Sequence, residues 1–529
     1  MFDLLIENGK IVDGSGRASL DTDIAIDHGR IAVIGKLDKA LAHSTIDASG
    51  MYVSPGFIDL HSHSDFTLLL DSRAESFVRQ GVTTEVIGNC GMSAAPLKHH
   101  DDLRRNVFCY SEPFELRWSS TNEYFNMLED NGLGINVAPL IGHAALRSYV
   151  MGFDQRWAIV DEQADMEQLL TGCMEVGAWG MSSGLEYFPG SSASADEIDG
   201  LCRVVRKYNG LYATHVRNRD ENYKQGFLEP LDSASRSGVR LQISHIVPKY
   251  GAPPDAARWT LEQLTSYADR VDVACDAIPY EWGPTTMTAI LPASLLKNDI
   301  SEIVHVLRDP ARRQAIKNQK QFFWLLIRDQ CWDSIKLYHS RKFPELIGKN
   351  GFELAEALNT TPFDALLDIL AEEGEHMFSV LMMGKIKRDN DLAECIAYRN
   401  CCIISDGLSL SPTGPLNGIN WSPGCYGWVP RFFERFVGTS KLLSIEEGVS
   451  KITGAAASRL GLSDRGLIRK GYWADIVVFD PEKLIDHTSL QNPAVFPTGI
   501  EHVVINGKIV VENGQYLDSC QGKLLRKCN

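Results

Sequence analysis

Residues 56–65 read GFIDLHSHSD, a short apolar run that ends in two histidines separated by one serine. On a β-strand the side chains at i and i+2 point to the same face, so His61 and His63 project together and can hold a cation between them. The same pattern, apolar and then abruptly polar at its carboxyl end, recurs along the chain. After GFIDLHSH come VTTEVIGN, INVAPLIG, GAWGMSSG, GLYATHV, VRLQISHI, RVDVACDA and NCCIISDG, with stretches of helical length between most of them. Eight such runs predict an α/β protein built on a parallel (β/α)8, TIM-like barrel whose strand ends share one mouth. A doubly wound open sheet also alternates strands with helices, but gives no reason for so many strands to end in polar residues.

Both chain ends read differently. DLLIENGKIVDGSG and DIAIDHGRIAVIG at the start, and ADIVVFDPEKL and GIEHVVINGKIVVENGQYL at the finish, are short strands, with Asn8-Gly9, His28-Gly29 and Asn506-Gly507 placed as hairpin turns. Each end is too short to bury a core alone, so residues 1–56 and 466–529 are expected to pair into one small β-sandwich domain. Residues 57–430 then form the barrel and 431–465 a helical connection. The interval between the seventh and eighth runs is far longer than one crossover helix needs. Residues from about 285 to 398 are read as an inserted, lid-like subdomain near the mouth.

Bulk composition excludes several classes. The 529 residues, 44 % hydrophobic and 23 % charged, are those of a globular protein rather than a disordered one. The opening MFDLLIENGK lacks a secretory pattern, and no uninterrupted apolar run of about eighteen residues suggests a membrane span. Twelve cysteines are scattered without a CxxC pair, which fits a reducing, cytoplasmic setting better than a disulfide framework. With 52 basic against 68 acidic side chains, a net charge of −16 disfavours nucleic acid as a partner.

Chemistry-bearing residues gather at the strand ends. Besides His61 and His63 there are Cys90 after run two, His215 on run five, His245 on run six and Asp406 after run eight. Each alone reads as a packed histidine, a buried thiol or a capping aspartate. In a barrel, however, these ends converge, and six candidate ligands meeting there predict a metal site.

The chain resembles the amidohydrolase superfamily, and within it the D-aminoacylase and N-acyl-D-amino-acid deacylase group. The motifs carrying the likeness run in order over nearly the whole length: SPGFIDLHSHSD, GVTTEVIGNCG, SSGLEYFPG, THVRN, ISH, SDG and KGYWADIVVFDP. The resemblance implies a zinc-dependent hydrolase of linear amide bonds acting on a small molecule, and homo-oligomers are common in the family. Most two-metal members bridge their ions with a carboxylated lysine on strand four, but no lysine lies between Gln155 and Arg206. The D-aminoacylase-like group uses a cysteine instead, and Cys90 stands at that position. By resemblance, Cys90, His215 and His245 hold the tighter Zn2+, while His61, His63 and Asp406 complete a second, weaker position. Asp406 carries the proton from water to the leaving nitrogen. Glu186 is the alternative bridge.

The family pattern breaks where substrate is held. Its lysine two positions after the strand-six histidine and its HPR arginine correspond here to Val247 and Gly424, within SHIVPKY and WSPGCYGWVPR. Lys249, Arg217 or Arg431 are candidate substitutes, and Tyr280 matches a tyrosine the family uses. The substrate is therefore expected to lack a free α-carboxylate in the usual place or to present it differently. Tyr187, Phe188, Trp282 and Trp428 suggest an apolar or aromatic substrate group near the mouth. Rival readings are a dihydropyrimidinase-like cyclic amidase, a cysteine-nucleophile hydrolase and a catalytically silent barrel scaffold.

Overall fold

The eight runs become eight strands in the computed structural model, which describes all residues except 38–41, 109–113, 320–321 and 529. They are Phe57–Asp59, Val82–Ile87, Asn136–Pro139 continued by Ile141–Gly142, Gly180–Gly184, Leu211–His215, Arg240–Ile243, Val273–Ala277 and Cys401–Ile403. Neighbours pair in parallel throughout, in chain order. The third strand changes partner at Pro139, pairing with the second before the proline and the fourth after it. Strand residues are buried on both faces, as parallel strands covered by helices must be. The helix after the fourth strand, Ala195–Lys207, shows the covering logic. Ser194 caps it by accepting from the Glu197 amide, and Ile198, Leu201, Cys202 and Val205 turn inward.

The eighth strand meets the first through a short seam. Ser62 pairs with Gly407, the His63 amide donates to the Gly407 carbonyl at 2.8 Å, and the Asp406 amide donates to the His61 carbonyl at 3.1 Å. Below it, buried Asp59 accepts from the amides of His61 at 3.1 Å and Ser405 at 3.2 Å.

The chain ends join in one nine-stranded sheet, where Ile476–Phe479 runs antiparallel to Tyr52–Pro55. One apolar cluster takes Ile6, Ile24, Ile31 and Val53 from the first end and Ile476, Val478 and Val504 from the last. His28-Gly29 and Asn506-Gly507 are tight turns with left-handed backbone at both residues. Asn8-Gly9 is not a turn. Phe2–Ile11 is a single strand with a bulge there, and Gly9 is needed because a Cβ would fall 2.5 Å from Val53 Cγ2.

The long interval folds around a three-stranded antiparallel sheet, Trp282–Thr286, Ile335–His339 and Leu381–Lys385, with the last strand in the centre. It has its own apolar cluster, including Ile335, Leu337, Leu366 and Leu370. This unit begins slightly before 285 and stops short of 398. The helix Asp389–Ala397 buries Leu392, Cys395 and Ile396 in the barrel's core instead and is the crossover helix itself. Among the described residues no helix is long and apolar enough to cross a membrane.

The backbone is tightly constrained in the loop after the second strand. Gly88 sits at φ +79°, and a Cβ there would lie 2.1 Å from the Leu140 carbonyl oxygen; at Gly91, φ +76°, it would lie 2.6 Å from the Gly184 nitrogen. Gly88→Ala is expected to cost about 2 kcal/mol or more, read as a lowered midpoint of urea unfolding.

Candidate metal centre

Cys90 lies between those two glycines, and the turn they permit delivers its sulfur to the barrel axis. Sγ is 3.3 Å from His61 Nε2, 3.3 Å from His245 Nε2 and 3.7 Å from His215 Nδ1. On the other side Asp406 Oδ1 is 3.0 Å from His63 Nε2 and 3.4 Å from His61 Nε2. The donors form two overlapping groups, His61, His63, Cys90 and Asp406 in one and Cys90, His215 and His245 in the other, with all ligand atoms of a group within 4.8 Å of one another. Cys90 belongs to both. Cys90, His245 and Asp406 also share left-handed backbone, at φ 51°, 34° and 48°. Conformations of that kind are held by surrounding structure and gather at functional sites.

Burial sets the protonation of the cluster. It lowers His61 to about 3 and His215 to about 4, the latter against the pull of Glu186, and it takes His245 well below its ordinary value. These imidazoles are neutral near pH 7, as metal ligands must be. Burial also pushes the Cys90 thiol well above its usual range, so an ionised sulfur here needs a cation beside it. Asp406 behaves oppositely. Burial opposes its ionisation, but the His63 hydrogen bond and the electrostatic pull of the basic groups around it outweigh that and hold it well below the usual carboxylate range. Nitrogen, sulfur and carboxylate donors gathered out of water are the set that a divalent zinc-like ion accepts.

Glu186 is not among these donors. Its Oε2 accepts from His215 Nε2 at 2.8 Å, behind the ring, while Nδ1 faces Cys90. It is therefore not placed as a bridge. It fixes the tautomer and orientation of His215, the usual work of a carboxylate behind a ligating histidine. Its other oxygen pairs with Lys249. Burial raises Glu186, yet Lys249 and His215 together bring it down to about 2.

The expected substrate residues disperse. Lys249 is occupied by Glu186 and by the Phe323 carbonyl at 3.1 Å. Arg217 pairs with Glu229 at 2.9 Å, donates to the carbonyls of Ser191 and Ala193, and lines an outer chamber of about 990 Å³. Tyr280, Trp282 and Arg431 line a separate cavity of about 340 Å³, where the Tyr280 hydroxyl donates to Asp486 at 3.2 Å. Trp428 lies in the core, fully buried on the helix Gly424–Phe432, not at the mouth. Phe188 lines the outer chamber. Tyr187 touches both spaces: its ring lies 4.7 Å from His215 and 5.1 Å from Phe323, and the two aromatic residues separate the outer chamber from a cavity of about 30 Å³ over the donors.

Phe108, Trp421, Arg219 and Lys387 are among the residues at that inner cavity that escaped the sequence reading. Phe108 and Trp421 stack at 4.1 Å against His63, and Trp421 Nε1 donates to the Asp406 carbonyl at 2.7 Å. Arg219 and Lys387 line it as well. Arg219 had a usable signal, lying four residues beyond His215 on the loop of a donor-bearing strand. Lys387 had none, since it follows the inserted sheet with no motif around it.

Comparison with known proteins agrees with this geometry. A family model described as the amidohydrolase family matches residues 44–316 and 403–511. D-aminoacylase of Alcaligenes xylosoxydans xylosoxydans is 31 % identical over 99 % of this chain and 98 % of its own. A crystal structure of N-acyl-D-glutamate deacylase from Bordetella bronchiseptica, complexed with zinc and a phosphonate mimic of the tetrahedral intermediate, superposes with a TM-score of 0.82 at 28 % identity, covering 99 % of both chains. D-hydantoinase from Thermus sp., at 16 % identity and a TM-score of 0.54 over 99 % of both chains, shares the fold alone.

Two substitutions separate ligation from packing. Cys90→Ala is expected to lose bound metal and activity together, measured by elemental analysis of the purified protein, where a packing cysteine would lose only stability. Glu186→Gln is expected to keep the metal but bind it about 10-fold more weakly in chelator competition.

Proposed function

The chain belongs to the amidohydrolase family, and from that premise we propose that it hydrolyses the linear amide bond of an N-acyl-D-amino acid or a related N-acyl compound. The observation that carries this reading is the Cys90 sulfur shared between two donor groups at the mouth of a barrel. Cys90, His215 and His245 would hold a tight zinc ion, and His61, His63 and Asp406 a weaker second one. Bound zinc supplies positive charge that acidifies a water and polarises the amide carbonyl.

The chain's own residues do the rest. The ionised Asp406 accepts the proton of the attacking water and delivers it to the leaving nitrogen, which must depart as a neutral amine. His63 orients that carboxylate through its 3.0 Å contact, and Glu186 orients His215. Phe108, Trp421, Tyr187 and Phe323 wall the inner cavity and exclude bulk water, which strengthens every charge interaction inside it. The substrate enters past Tyr187 and Phe323, since about 30 Å³ holds little more than water. In this reading residues 57–430 are the catalytic barrel, the insertion overhangs its mouth, and the two chain ends form a supporting β domain.

Rival mechanisms fit less well. A cysteine nucleophile needs a thiolate beside a base, whereas burial keeps the Cys90 thiol protonated and its histidine neighbours are arranged as a ligand set. The cyclic amidase lacks its strand-four lysine. A silent scaffold has no reason to retain all six donors.

Metal-loaded protein assayed for amine release should cleave N-acyl-D-amino acids or close N-acyl relatives faster than cyclic ureides and imides. Faster turnover of the cyclic compounds would move the protein to the cyclic amidases. Asp406→Ala is expected to lower turnover about 10³-fold with metal still bound at the tight position. Undiminished turnover would remove Asp406 from the proton path.

A further inference from the structure

The inner cavity is lined by two basic side chains that form no ion pair with a described carboxylate. Arg219 and Lys387 are each 5 % exposed. Arg219 comes from the loop after Leu211–His215, and its Nη1 donates to the His245 carbonyl at 2.6 Å while its buried Nε has no partner. Lys387 comes from the segment between Leu381–Lys385 and the helix Asp389–Ala397, and its Nζ donates to the Tyr280 carbonyl at 3.0 Å. Both line the cavity together with His63, Cys90, His245 and Asp406. Burial, with Arg219 nearby, lowers the Lys387 ammonium to about 7, and Asp406 and Glu281 pull against this from beyond ion-pair distance.

Charge accounting gives these two groups a purpose. Glu186 and Asp220 lie against Lys249, and Glu229 pairs with Arg217. Arg219 and Lys387 are left over, buried beside the place where an amide must sit. A buried cation without a counter-charge is costly, and an anionic ligand removes the cost. The outer chamber, reached past Tyr187 and Phe323, leaves room for the remainder of such a ligand.

We propose that Arg219 and Lys387 form an anion subsite that holds the substrate's carboxylate, so that the protein takes an N-acyl amino acid in preference to a neutral amide. This rests on the amide-hydrolase reading, and it relocates the carboxylate contact from Val247 and Gly424 to the loop after the fifth strand and the exit of the inserted sheet. Lys387 is the better probe of the pair, because Arg219 also steadies the backbone of His245.

The test is calorimetric binding to metal-loaded Asp406→Ala protein, which is expected not to turn the ligand over. The ligands are the N-acetyl derivatives of D- and L-leucine, phenylalanine and glutamate, each paired with the compound whose α-carboxylate is replaced by carboxamide. The carboxylate form is expected to bind about 100-fold more tightly than its carboxamide. Adding Lys387→Met should shrink that preference to a few-fold, and Lys387→Arg should retain most of it. Should Lys387→Met not fold, Arg219→Lys should also narrow the preference. No carboxylate preference in any pair, or a Lys387→Met variant that weakens both forms alike, overturns the subsite. Failure of the hydrolase reading looks different: carboxylate preference would persist, while wild-type metal-loaded protein released no amine from any pair.

Discussion

The structure depends on the seam where the eighth strand meets the first. Three polar residues close the barrel there: the amide of His63 bonds Gly407, the amide of Asp406 bonds the carbonyl of His61, and Asp59 ties the two strands from beneath. The side chains of His61, His63 and Asp406 are the same ones that converge as donors. Closure and ligation therefore share a backbone. A barrel with this seam slipped by one residue would turn both histidines to the other face, so the hydrogen bonds that complete the fold also set the geometry of the centre.

Around that seam the protein keeps charge in matched and unmatched portions. Lys249 and Glu186 form a buried pair whose worth is positional, because burying two charges returns little net stability. What it provides is a fixed ring for His215. The second strand's loop contributes differently. There Gly88 and Gly91 allow the chain to turn so tightly that Cys90 reaches two histidines at 3.3 Å from the next layer of the barrel. A side chain on either glycine would strike the backbone of a neighbouring strand, so the sulfur's position is set by steric exclusion rather than by attraction.

How much of this was legible in the sequence follows from how local each signal is. The barrel was legible because every strand carries its own mark, an apolar run with a polar end, and the donors were legible because they are those ends. His28-Gly29 and Asn506-Gly507 read correctly as turns, while the same dipeptide type at Asn8-Gly9 misled. Its left-handed residue serves a bulge inside a strand, imposed by Val53 from another strand. Glu186 was visible as a nearby carboxylate, but nothing local says which nitrogen of His215 it faces. Tyr280 was placed by likeness and Arg431 as a candidate substitute for a missing cation, and the structure turns both to a separate cavity where Asp486 and Glu281 engage them. Trp428 was misplaced because a helix that passes near the mouth can turn an aromatic into the core.

Lys387 illustrates why cavity-lining side chains carried by the insertion lie beyond sequence reading. Its amide donates to the Glu281 carbonyl and its ammonium to the Tyr280 carbonyl, so it pins the point where the inserted sheet leaves the barrel to the point where it enters. The two segments are more than a hundred residues apart, and no spacing rule joins them. Strand ends hold the metal donors in a barrel, whereas inserted segments are free to vary in length and content without disturbing the closing seam. A cation carried at the neck of an insertion can therefore be gained or lost while the metal centre stays fixed. On that logic the two kinds of residue answer to different constraints: the donors to barrel closure, and the substrate-facing charges to whichever loop happens to overhang the mouth. In the proposed subsite Arg219 and Lys387 stand in for the cations that the family pattern puts at Val247 and Gly424, above the same set of donors.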